Sequence, residues 1–179
     1  PARFALVELV NIHDEGLEFE PIHRVLFNVD QNDMIGEMSS YFAQEWSELS
    51  LQAYDTFEKM KENRWISDDT AHHFCMMYND RYIVVEIRNP KRNLEVGNLQ
   101  AFLDEYLKRH SETKIDYIHG EEITQQLGTK AGNIGFILPI MDKKAFFKTV
   151  IVDGALPRKT FSMGEAEEKR YYLECRKIK

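Results

Sequence analysis

The sequence predicts one α+β domain with a mixed or largely antiparallel sheet and three to five packed helices. Strand-like runs occur as neighbours joined by short turns, and between them lie stretches whose apolar residues recur at helical spacing. With 179 residues, of which 43% are hydrophobic, the chain can bury one sizeable core. Because no repeat, low-complexity segment or linker interrupts it, residues 1–179 are expected to form a single domain.

Two strands are predicted before the first helix. Residues 4–10 are β-rich and mostly apolar, which is typical of a buried strand, and a second β-rich run covers residues 17–29. Pro21 cannot donate a backbone hydrogen bond, so the second strand is expected to begin at Ile22 or to lie at a sheet edge around the proline.

Two helices are predicted next. Asp30 can cap a helix with one apolar stripe. The stripe consists of Met34, Met38 and Phe42, widened by Ile35, Tyr41 and Trp46. Between residues 47 and 69 apolar residues again recur at helical spacing, which predicts a second helix ending at Asn63. These residues are Leu51, Tyr54, Phe57 and Met60.

A β-hairpin and an amphipathic helix are predicted in the middle of the chain. Two β-rich runs, 73–78 and 82–88, are separated by Asn79-Asp80-Arg81, which is a short hairpin signal. The helix after Pro90 has apolar residues at the spacing of one helix face. They are Leu99, Phe102, Leu103, Tyr106 and Leu107.

The remainder is predicted to alternate between strand and helix. The predicted elements are a strand over 115–118, a helix over 120–127, a strand over 133–138, a helix over 142–152 and a closing strand over 171–178. Asp142 is the expected cap of the last helix.

Composition excludes several classes of function. The net charge of −7 argues against non-specific binding to nucleic acid, which needs a basic surface. Cys75 and Cys175 are far apart in sequence, and no apolar run approaches membrane-spanning length. We therefore expect a cytoplasmic protein without a disulfide and without a nucleic-acid or membrane partner.

A basic loop over residues 156–162 is the best candidate for a binding site. Arg158 and Lys159 can hold an anion while Thr160 and Ser162 donate hydrogen bonds to it. Gly154 can end the preceding helix with a positive φ. The alternative is a solvated surface turn whose cations balance nearby carboxylates. The chain has no glycine-rich phosphate-binding motif, so no cofactor is evident.

His23 and Arg24 form a second candidate on the predicted strand. His23 is the one candidate for a catalytic acid or base, because a histidine titrates near neutral pH. Arg24 could contact the same anion as the basic loop. Against this, strand alternation would send the two side chains to opposite faces of the sheet, one packed and one solvated.

His72, His73 and Cys75 resemble a metal-binding trio. Alternation places His73 and Cys75 on one face of their strand and His72 on the other, so the three cannot converge on one ion without a bulge. We therefore predict no metal site.

Several segments together resemble a known family. They are residues 20–25, 116–120, 135–139 and 156–161. In order and spacing they are similar to family number 1015 of the domains of unknown function, found in bacteria and archaea. The resemblance implies that Lys159 and Thr160 correspond to the lysine and the threonine of a motif that the family has in the same place. It also implies that the chain is the C-terminal part of a longer protein, whose first half carries a motif related to ParB-like proteins, a group that includes a free-serine kinase.

Two hypotheses follow. In the first, the chain contributes an anion-binding loop to a protein that handles nucleotides or phosphate, such as a small-molecule kinase. His23 and Arg24 then line the same cleft as Lys159, and the nucleotide and the catalysis involve the upstream half. In the second, the chain is a non-catalytic interaction or dimerisation module, with the methionine stripe of the first helix partly exposed and bound to a partner or a second copy.

Overall fold

The computed structural model describes residues 9–65 and 70–164. In this part of the chain the strands are β1 (Phe19–Pro21), β2 (His23–Phe27), β3 (Glu48–Tyr54), β4 (Ala71–Tyr78), β5 (Arg81–Arg88), β6 (Lys114–Ile118), β7 (Asn133–Ile137) and β8 (Phe161–Met163). The helices are α1 (Gln31–Gln44), α2 (Phe57–Asn63), α3 (Glu95–Arg109), α4 (Glu121–Gly128) and α5 (Phe146–Asp153), and a 3-10 turn, Lys143–Ala145, leads into α5.

Six of the strands form one antiparallel sheet. Their order is β3-β5-β4-β7-β2-β6, and every neighbouring pair is antiparallel. β1 and β8 form a separate two-stranded antiparallel ribbon. The α+β prediction is confirmed, and the sheets are antiparallel throughout the described residues.

Helices cover both faces of the large sheet. α1 and α3 pack on one face, which we call the α1/α3 face, where Phe74 and Phe136 belong to the main core. On the opposite face, here the α2/α4 face, Phe57 and Met60 of α2 pack with Cys75. Alternation along the strands therefore decides which face each side chain meets.

The predicted N-terminal cap of α1 and most of its predicted apolar stripe are confirmed. Asp30 accepts hydrogen bonds from the backbone N–H groups of Asn32 and Asp33 at 3.0 and 3.1 Å. The methionine stripe is core, because Met34, Met38 and Phe42 are buried. This contradicts the hypothesis that the stripe is exposed to a partner. Trp46 does not extend the stripe: it follows the helix with φ +62° and is 89% exposed.

The predicted middle hairpin is confirmed, but Arg81, which was predicted in its turn, is the first residue of β5. β4 and β5 pair along their whole length, from Ala71 opposite Arg88 to Tyr78 opposite Arg81. Asn79 and Asp80 make the turn with φ of +43° and +58°, a left-handed conformation that matches the twist of the two strands.

The second predicted helix is wrong over its first half. Residues Glu48–Tyr54 form β3, which pairs with β5 over seven residues, and helix begins only at Phe57 and ends at Asn63 as expected. Leu51 is spaced helically from Tyr54 and Phe57, but pairing to the neighbouring strand decides its conformation.

The remaining predictions hold in part. The predicted run over 17–29 is divided by Ile22 into β1 and β2. Pro21 is the last residue of β1 and lies in the two-stranded ribbon with β8. β6, α4, β7 and α5 match their predictions closely, although Asp142 caps the 3-10 turn rather than α5 itself. The predicted strands over 4–10 and 171–178 lie almost wholly outside the described residues. Among the helices described here, none has the length and apolar character needed to cross a membrane.

Candidate anion site

A cavity of about 300 Å³ lies between α3 and the loop that follows α5. Its walls combine apolar groups from both elements with charged groups at the edges. The apolar part includes Leu94, Ala101, Leu156 and Pro157, and the charged residues are Arg92, Asp104, Asp153 and Arg158. The basic loop predicted from the sequence thus forms one wall of a cavity.

The basic loop is held in a defined conformation by its own groups. α5 ends at Asp153, and the next residue, Gly154, has a φ of +82°, as expected for a glycine in that position. Thr160 is buried, and its hydroxyl donates to the carbonyl of Pro157 at 2.6 Å. Lys159 has φ +56° and an exposed side chain. Ser162 is buried in β8 opposite Glu20.

Arg24 lies beneath this loop and is fully buried. Its guanidinium donates to the carbonyl oxygens of Arg158 at 3.2 Å and of Lys159 at 2.8 Å. It also donates to the carbonyl of Ile22 and to Gln100 Oε1, the latter at 3.4 Å. Arg24 therefore connects strand β2 to the backbone of the basic loop.

Gln100 and Asp104 extend this connection along α3. Gln100 Nε2 donates to Asp104 Oδ1 at 2.8 Å, and the same carboxylate oxygen accepts a hydrogen bond from Arg158. The four side chains form a continuous network, Arg24–Gln100–Asp104–Arg158, of which the last three line the cavity.

This network holds two cations and one carboxylate. Asp104 is its single acidic member, and it bonds directly to Arg158 but not to Arg24. Burial lowers the pKa of Arg24 to about 10, because charge is costly away from water, but the group still carries its charge at neutral pH. The ring of Tyr117 lies 5.3 Å from the guanidinium carbon, and its hydroxyl is buried with no hydrogen-bond partner among the described residues.

His23 lies on the opposite face of the sheet from Arg24. It shares the α2/α4 face with Cys75 and Ile137, since β2 and β7 alternate in register. Its Nδ1 accepts a hydrogen bond from the Leu138 N–H at 3.3 Å. Burial lowers the pKa of His23 to about 4, an effect only partly offset by Glu121.

The hypothesis of a common cleft for His23 and Lys159 is therefore wrong. Alternation separates His23 from Arg24, as the alternative reading proposed, but both side chains are buried rather than one being solvated. Arg24 meets the basic loop, whereas the charged groups around His23 include Glu121, Arg64 and His119.

The histidines of β4 also divide between the two faces. His72 accepts a hydrogen bond from Asn98 of α3 at 2.8 Å. His73 bonds to Glu86 of β5 at 3.1 Å on the other face. Within residues 9–65 and 70–164, no three His, Cys, Asp or Glu side chains are placed to hold a metal ion.

The sequence prediction missed Gln100 and Asp104. A signal was present, since the two residues are one helical turn apart beside the apolar stripe of α3, a spacing that places them together on the helix surface. Nothing local in the sequence connects them to residue 158, which bonds to Asp104 from 54 positions away.

A family of proteins of unknown function, DUF1015, matches residues 1–106 of the chain. The chain belongs to this family. The match covers more than half of the sequence and includes Arg24, Gln100 and Asp104, but it ends before the basic loop. No curated protein and no solved structure matches the chain.

Proposed function

We propose that this member of the family binds a small phosphorylated molecule in the cavity between α3 and the basic loop. The observation behind the proposal is the charge of the side-chain network, which holds the guanidiniums of Arg24 and Arg158 but a single carboxylate, that of Asp104. A dianionic phosphate next to Arg158 would supply the missing negative charge. A charge-assisted hydrogen bond from Arg158 to a phosphate oxygen is among the stronger hydrogen bonds in proteins, so such a ligand should be favoured.

Arg158 and Lys159 are the proposed contacts with the anion. Arg158 lines the cavity, and Lys159 is exposed beside it in the same loop. Arg24 and Thr160 bond to the backbone of the loop, so we assign them the role of positioning it. Ser162 lies in β8, just after the loop, and stays a proposed hydrogen-bond donor to the ligand.

The cavity volume limits the size of the ligand. About 300 Å³ is at the lower end of the range for small-molecule sites. The apolar wall formed by Leu94, Ala101 and Leu156 suits a short carbon skeleton attached to the phosphate. A nucleotide would place its phosphate here and its base outside the cavity.

The family resemblance supports a wider form of the proposal. In it, the chain is the C-terminal part of a cytoplasmic ParB-like protein, and an upstream half supplies the catalytic groups for phosphoryl transfer. The chain by itself then binds the phosphate weakly and catalyses nothing.

Calorimetric titration with inorganic phosphate tests the binding step. Arg158→Gln should weaken binding by about tenfold or more, since hydrogen bonds to charged groups contribute roughly 1.5–3 kcal/mol. Asp104→Asn should strengthen it, because the ligand no longer competes with an internal carboxylate for Arg158.

The matched control is Arg81→Gln, which removes an exposed arginine in the β4–β5 hairpin. Its affinity for phosphate should equal that of the unmodified chain. Absence of phosphate binding by the unmodified chain, or an equal loss in Arg81→Gln and Arg158→Gln, would contradict the proposal.

A further inference from the structure

β3 is an edge strand of the large sheet. All seven of its residues pair with β5, from Glu48 opposite Arg88 to Tyr54 opposite Tyr82. Among the described residues, no strand pairs with its other side. The outer side of β3 therefore presents a row of backbone N–H and C=O groups, which is a template for another strand.

The strand lacks the features by which proteins protect an exposed edge. It contains no proline and no lysine, and its only charged residue is Glu48 at one end. At its centre Leu51 is 40% exposed, and Ser50 and Gln52 on either side are exposed as well. A long edge with one charge at its end and an exposed leucine at its centre is suited to strand addition.

We propose that a second copy of this chain pairs its β3 with this edge, antiparallel and about a two-fold axis at Leu51. The two six-stranded sheets then join into one continuous sheet. A two-fold axis is the usual symmetry of a dimer, and it uses the same surface of both copies.

The residues of β3 are complementary to themselves in this arrangement. On the α1/α3 face, Leu51 meets its own copy and Leu49 meets Ala53, which extends the apolar core across the junction. On the α2/α4 face the polar Ser50 faces Gln52. Glu48 faces Tyr54, so the one charge of the strand does not meet its own copy.

The exposed face of α5 is less suited to self-association. It presents Phe147 and Ile151 with Lys144 and Lys148 around them, and all four side chains are exposed. Pairing this face with its own copy would bring lysines of the two copies together. Ile151 therefore provides a control position that is apolar and exposed but distant from β3 in sequence.

The test is the mass of the chain in solution, measured by sedimentation over a wide concentration range. We expect a dimer for the unmodified chain. Leu51→Lys places two like charges opposite each other, which should raise the dissociation constant by about tenfold or more. Ile151→Lys should leave the dimer unchanged.

A mixing experiment separates a specific pairing from general surface adhesion. At a concentration where Leu51→Lys and Leu51→Asp are each mostly monomeric, their equimolar mixture should form a one-to-one heterodimer, because the introduced ammonium group then meets the introduced carboxylate across the axis. Circular dichroism shows whether each variant folds. If a Leu51 variant does not fold, Gln52→Lys replaces it, because Gln52 is exposed and a lysine there also adds charge to the edge of β3.

Three results would overturn the proposal. They are a monomer at every concentration, a dimer that Leu51→Lys leaves intact, and a mixture of folded Leu51 variants that stays monomeric. Phosphate binding is independent of all three, so this proposal and the proposed ligand site can fail separately.

Discussion

At the scale of single residues, Arg24 is a charged side chain that the fold removes completely from water. Its side chain is fully buried, yet it bonds to three carbonyl oxygens and one amide oxygen instead of a carboxylate. The planar guanidinium can reach acceptors in several directions at once, which an ammonium group cannot do. Arg24 thereby sets the position of the basic loop relative to β2.

Arg24→Lys is expected to destabilise the fold. The lysine ammonium cannot reach the same set of acceptors, so buried carbonyls lose their partners. The free energy of unfolding should fall by about 2–3 kcal/mol, measured by urea denaturation. Arg81→Lys, on the exposed hairpin, should change it by less than about 0.5 kcal/mol. Equal stability of the two variants would show that the contacts of Arg24 with the loop contribute little.

His23 is expected to make stability depend on pH. Its pKa is about 4 in the fold and near 6.5 when unfolded, so the unfolded chain binds more protons between these values. The free energy of unfolding contributed by His23 is present above pH 6.5 and is lost as the pH falls towards 4. The difference corresponds to roughly 3 kcal/mol.

His23→Gln removes this titration and should make the dependence between pH 6.5 and 4 less steep, measured by urea denaturation at each pH; the part that remains includes His72, whose pKa burial also lowers. His13→Gln, at an exposed position, should retain the original slope. An unchanged slope in His23→Gln would contradict the assignment of the effect to His23.

At the scale of elements, the approach of α4 to β7 depends on two glycines. A Cβ at Gly128 would lie 2.6 Å from the backbone of Gly135, closer than real Cβ atoms come to such atoms. The neighbouring group is backbone and cannot move aside without shifting the strand. Small residues at both positions let helix and sheet approach closely.

Gly128→Ala should therefore lower the free energy of unfolding by roughly 2–3 kcal/mol, as overpacking does in other cores. Gly36→Ala is the matched control, because a Cβ there has nothing within 4 Å and Gly36 lies inside α1. It should raise stability by about 0.5–1 kcal/mol. Thermal unfolding of both variants measures the contrast, and a neutral Gly128→Ala would mean that α4 can move away from the sheet.

Elements with strong local signals could be predicted from the sequence. The hairpin at Asn79-Asp80 and the Asp30 cap of α1 depend on neighbouring residues, and both are confirmed. β3 could not be predicted, because Leu51, Tyr54 and Phe57 also fit a helical spacing. What makes residues 48–54 a strand is pairing with β5, whose residues lie 28 to 40 positions further along the chain than their partners.

The site was predictable only where its residues are adjacent in sequence. The basic loop was found as one segment, and Arg158 does line a cavity. The hydrogen bonds from Arg24 to the backbone of the loop could not be predicted, because Arg24 and Arg158 are 134 positions apart in the sequence. The prediction that His23 lies in the same cleft as the loop is wrong, because alternation along β2 places His23 and Arg24 on opposite faces of the sheet.

At the scale of the whole molecule, the sheet separates two polar regions. The network of Arg24, Asp104 and Arg158 lies on the α1/α3 face beside the cavity, and His23 lies on the other face. The proposed dimer edge is a third region, since β3 lies four strands away from β2 in the sheet order. Ligand binding and self-association can therefore be tested independently in the same chain.

Phosphate binding beside the basic loop is tested by a map of backbone amide shifts during titration with inorganic phosphate. We expect the amide signals of Gly97, Ala155 and Arg158 to move and saturate together and those of His23 and Gly120 to stay in place, and we expect Arg158→Gln to shift the midpoint to phosphate concentrations about tenfold higher or more. Shifts absent from residues 155–160, or present with the same midpoint in Arg158→Gln, would contradict the proposal.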